Sequence, residues 1–74
     1  MPRLRPVSGD EFVRVMQVLG YEIERVRGSH MMLRCQGRKP LTVPRHRELD
    51  RGTLRGLIRD AGLTVEEFLE LAGA

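Results

Sequence analysis

Gly28-Ser29-His30 carries one of only two histidines in the chain, set among arginines. With Met31 the stretch reads Gly-Ser-His-Met, the remnant that a cleaved purification tag leaves at an N-terminus. Here 27 residues precede it and a strand-like pattern runs on through it, so it reads as natural sequence. An imidazole beside guanidinium groups suits metal-free attack on RNA. RNA brings its own nucleophile, the 2′-OH, so a protein need only move protons and stabilise charge at the phosphate. A histidine titrates near working pH, and positioned acid–base catalysis contributes about 10²–10⁴-fold. Ser29 could donate to a phosphate oxygen, Gly28 lets backbone approach closely, and nearby arginines would stabilise the phosphorane.

The bland readings are specific too. An isolated histidine is more often structural than catalytic; exposure at a turn–strand junction in basic surroundings is what raises His30. His46, after Pro44 in a basic loop, is a second proton carrier, a phosphate contact or a solvated side chain. Arg51, Arg55 and Arg59 recur every four residues as a basic ridge or as an ordinary solvated helix face. Cys35, the single cysteine, reads as a small core hydrophobe and leaves no partner for an internal disulfide. Neither a Cys-pair zinc site, an acidic metal cluster near the histidines, a phosphate loop nor a dinucleotide fingerprint is present, so no metal or cofactor is expected.

Charge supports a polyanion partner. The net charge is +3, but residues 25–59 hold ten basic side chains against Glu48 and Asp50, a net of +8. Residues 60–74 carry four acids and no base. A basic middle with an acidic tail points to nucleic acid for the middle, in contact with Arg27, Lys39, Arg45, Arg51 and Arg55. No apolar run approaches the ~18 residues of a membrane span, and the Met-Pro-Arg start lacks a signal peptide's apolar stretch, so a cytoplasmic protein is expected.

The elements that must hold these residues are short. Seventy-four residues make one domain, 1–74, whose core is mostly Val, Leu, Ile and Met because there is no Trp, one Tyr and two Phe. Ser8 caps a helix whose Glu11 reaches back in a capping box, with Val7 stapled to Phe12. Phe12, Val15, Met16 and Leu19 form its apolar stripe and Gly20 ends it. Tyr21–Val26 alternates as a half-buried strand, Arg27-Gly28-Ser29 turns, and His30–Cys35 returns with Met31, Leu33 and Cys35 inward. After a basic turn, Leu41-Thr42-Val43 is a third strand stopped by Pro44. Asp50 caps a second helix, with Leu54, Leu57, Ile58 and Ala61 buried and Gly62 at its end. Thr64 and Glu67 then box a short acidic helix running through Leu71. The order is α-β-β-β-α plus a small helix: an α+β fold with a three-stranded antiparallel meander and helices on one face.

Taken together, these residues resemble the HicA family of small toxins, also called YcfA-like, of type II toxin–antitoxin systems. The resemblance rests on Leu19-Gly20-Tyr21, Arg27-Gly28-Ser29-His30, Leu41-Thr42-Val43-Pro44 and the run Gly52–Leu63, in order and over nearly the whole chain. It implies a fold like double-stranded-RNA-binding domains, ribosome-independent cleavage of mRNA, and a HicB antitoxin covering the active surface. The family's catalytic histidine falls on His30, and Arg45-His46 matches its histidine-containing segment after Val-Pro. Met31 departs from relatives that carry a second histidine or another polar residue there, which leaves His46 or an arginine to assist. Two rival readings remain: a non-catalytic RNA-binding module, and an adaptor for an acidic protein.

Overall fold

The computed structural model describes residues 3–73. In chain order it comprises α1 (Gly9–Leu19), β1 (Glu22–Arg27), β2 (His30–Arg34), β3 (Leu41–Pro44), α2 (Arg51–Asp60) and α3 (Val65–Gly73). The strands form one antiparallel sheet in the order β1-β2-β3, the meander that the short turns dictate. Alternation sends Met31 and Leu33 of β2, and Leu41 and Val43 of β3, into the core. The helices supply Phe12, Met16, Leu54, Ile58 and Phe68 from the same side, with Phe12 stacked on Phe68 at 5.6 Å between ring centroids. Helix α3 runs two residues beyond Leu71.

The helix starts follow the capping rules unevenly. Thr64 and Glu67 close a full box: the Glu67 amide donates to Thr64 Oγ1 at 3.0 Å and the Thr64 amide to Glu67 Oε1 at 2.8 Å. Ser8 accepts from the Glu11 amide at 3.0 Å, but Glu11 does not reach back; its carboxylate takes Arg5 Nη2 at 2.6 Å instead. A charged donor outcompetes a backbone amide for that oxygen. Asp50 sits at the N-cap of α2 without making a side-chain cap bond.

Strand β1 is not half-buried as alternation suggests; all six of its residues are exposed. The helices pack on β3, the opposite edge, and leave β1 uncovered. A bulge also interrupts it: Ile23 pairs with Leu33 and Arg25 with Met32, so Glu24 is the extra residue. The inserted residue resets the parity, putting both Ile23 and Val26 on the core side, opposite Leu33 and Met31. Cys35 lies just past β2, half-buried against the core rather than inside it.

Candidate nucleic-acid interface

The β1–β2 hairpin closes in two residues. Arg27 and His30 pair directly, and only Gly28 and Ser29 lie between them. Gly28 has φ +59°, whereas Ser29 is not left-handed, the pattern of a two-residue hairpin turn with glycine first. His30 is therefore the first residue of β2, where strand parity is set by its buried neighbour Met31. The imidazole faces away from the helices and is exposed.

The end of β3 meets this turn. His30 pairs with Pro44, and beyond the strand the Arg45 amide donates to the Ser29 carbonyl at 2.6 Å. The Arg45 guanidinium is drawn to Asp10, with Nε 3.1 Å from Oδ1. The His46 carbonyl accepts from the Gly9 amide at 2.9 Å, so the start of α1 holds this loop in place. Gly9 is required there, because a Cβ at this position would overlap the Pro44 carbonyl oxygen. Gly28, Ser29, His30, Arg45 and His46 thus gather at one end of the sheet.

The register adds a residue that sequence reasoning passed over. Arg25 is opposite Met32 and shares the outer face with Arg27 and His30. Its Nη2 lies 3.6 Å from Met32 Sδ. Tracing the hairpin pairs inward from Gly28-Ser29 would have found it. Arg27 makes no side-chain hydrogen bond or ion pair among the described residues. Farther along the same face Glu24 neutralises Arg34, with Oε2 2.8 Å from Nε. The uncompensated charge on this face is therefore at the His30 end.

Lys39 belongs to the other end. It precedes β3, reaches Asp60 Oδ1 at 3.5 Å, and its carbonyl accepts from Tyr21 Oη at 2.6 Å. Arg51 and Arg55 are exposed on α2, in the helix layer across the sheet from the His30 face. No three His, Cys, Asp or Glu side chains gather into a metal-binding group among the described residues. No helix there is long and apolar enough to cross a membrane.

The architecture is that of a small α+β domain, one three-stranded antiparallel sheet with its helices on one side. A solved structure, a toxin–antitoxin complex from Streptococcus pneumoniae, contains a chain 34% identical to this one, with a TM-score of 0.70, covering 78% of this chain and 100% of that one. No protein of curated function matches the sequence. Residues 9–63 match the family described as the HicA toxin of bacterial toxin–antitoxin, and the chain belongs to that family.

Proposed function

We propose that this protein is an endoribonuclease toxin that cleaves mRNA and is held in check by a HicB-like antitoxin. The observation that carries the reading is the exposed His30 beside Arg27 on a tight turn whose backbone is bonded to the Arg45 segment. His30 takes the proton of a 2′-OH as its oxygen attacks the adjacent phosphorus. The bond from phosphorus to the 5′ oxygen breaks, and that oxygen receives a proton from water, the imidazolium or His46. Arg27, with Arg25 behind it, stabilises the charge gathering on the phosphoryl oxygens. Ser29 and the Gly28 backbone border the same phosphate, and Arg45 and His46 flank it from the β3 side. Lys39, Arg51 and Arg55 extend RNA contact beyond the cleavage site as phosphate ligands. All of these steps run without a metal ion, and the protein works in the cytoplasm.

The test is cleavage of RNA in EDTA by the wild type and by His30→Ala. Wild-type activity with 2′,3′-cyclic phosphate ends, lost in the variant, is the expected result. An unchanged rate in His30→Ala sinks the assignment, and activity abolished by EDTA transfers the chemistry to a metal. Salt-sensitive RNA binding by the wild type without any cleavage would make the protein a binding module instead.

A further inference from the structure

The sheet has two edges, and they are treated differently. Strand β3 is bracketed by Pro40 and Pro44, and both α1 and α2 pack on it. Proline offers no N–H to a newcomer, so that edge is guarded. Strand β1 contains no proline, is exposed throughout, and among the described residues pairs only with β2. On its core side it shows Ile23 and Val26, 42% and 47% exposed, beyond the cover of the helices.

The sequence of β1 is Glu22-Ile23-Glu24-Arg25-Val26-Arg27. Laid antiparallel against itself, it sets Glu22 opposite Arg27, Ile23 opposite Val26, and Glu24 opposite Arg25. Every charged side chain then meets its opposite and every apolar one another apolar. In a regular strand Ile23 and Val26 differ in parity and could not meet on one face. The bulge at Glu24 removes that obstacle, because it puts both on the core side. An edge bulge ordinarily discourages pairing; this one makes the strand complementary to its own copy.

We propose that β1 is a self-association edge, at which two copies of this chain join β1 to β1 in one six-stranded sheet. The two-fold axis stands perpendicular to that sheet, so both His30 side chains emerge on the same face. The pairing sets Arg27 opposite the partner's Glu22 and encloses the Ile23/Val26 ledges of both copies; on the function proposed above, RNA and self-association therefore compete for that guanidinium.

A charge-reversal cycle tests this by sedimentation velocity across a wide concentration range, reaching millimolar. The wild type is expected to dimerise reversibly. Glu22→Arg places arginine against arginine, and Arg27→Glu places glutamate against glutamate. Each single variant should lose self-association by more than about tenfold, because like-charge contacts are costly at interfaces. Mixing the two variants should restore a heterodimer, since each then supplies the charge the other needs, and the double variant should dimerise alone. All four proteins should show the same far-UV circular dichroism, because the substituted positions are exposed. A wild type that stays monomeric overturns the proposal. So does a dimer that survives both single reversals, or a mixture that does not associate. Protection of the β1 amides that arises only on adding an antitoxin would assign the edge to that partner and equally overturn it.

Discussion

Arg27 and His30 end one strand and begin the next, so the two-residue turn alone sets their spacing. Directly opposed side chains on one face have Cβ atoms about 4.5–5.5 Å apart, close enough for both to touch one phosphate. The two should fail in different ways. Arg27→Ala should weaken RNA binding and reduce the slope of affinity against salt by about 1, as expected for one lost phosphate contact. His30→Ala should leave that slope unchanged and lower the cleavage rate by about 10²–10⁴-fold. Its stability should move by no more than about 0.5 kcal/mol, because the ring is exposed. Salt titration of binding and single-turnover cleavage measure the two separately. The place of His30 was readable in the sequence because the apolar Met31 and Leu33 fix the parity of a short strand. The place of Lys39 was obscured by counting charge along the chain. It belongs to the +8 stretch, yet the meander carries it to the opposite end of the sheet.

Among the elements, legibility followed the range of the interaction. The Thr64/Glu67 box is complete within four residues and formed as its spacing predicts. At Ser8 the same spacing gave half a box, because Arg5, outside the motif, captured Glu11. The bulge in β1 answers to the pairing with β2, which a single strand's alternation does not contain. The exposure of β1 depends on which edge the helices cover. Two substitutions probe these elements. Thr64→Ala should lower stability by about 1 kcal/mol, read as a lower Tm, and leave cleavage intact. Gly9→Ala should cost about 1–3 kcal/mol through overpacking, because the added methyl meets backbone rather than a movable side chain. It should also shift the amide resonances of residues 44–46, which Thr64→Ala would not disturb.

At the scale of the whole molecule, pH reports how the core is closed. Tyr21 is 2% exposed, and its hydroxyl donates to the Lys39 carbonyl, locking the end of the sheet opposite His30. Burial pushes this phenol above its ordinary range, with repulsion from Cys35 adding to the effect. A raised native pKa means stability that is fully present below the unfolded value, about 10, and is lost as pH rises through the native value. Denaturation midpoints should therefore fall above about pH 10 in the wild type. Tyr21→Phe should flatten that alkaline limb while costing about 1 kcal/mol at neutral pH for the lost hydrogen bond. At the acid side, Arg5 holds the Glu11 carboxyl below its ordinary range, chiefly by their hydrogen bond. That contribution is present above the unfolded carboxylate value and fades as pH falls through the lowered native one. The pair is solvent-exposed, so the acid limb should be the shallower of the two.

The segment from Arg45 to Asp50 has neither helix nor strand, yet three of its backbone groups are spoken for. Arg45 is bonded to Ser29, His46 to Gly9 and Leu49 to Val7. A protease must draw several consecutive residues into an extended run before it can cut, and the anchors at residues 45, 46 and 49 oppose that at both ends of the segment. Trypsin would find Arg45 and Arg47 attractive by sequence and exposed by position. The anchoring makes them slow sites all the same, so the stretch that looks most like a loose loop should be among the last to be nicked.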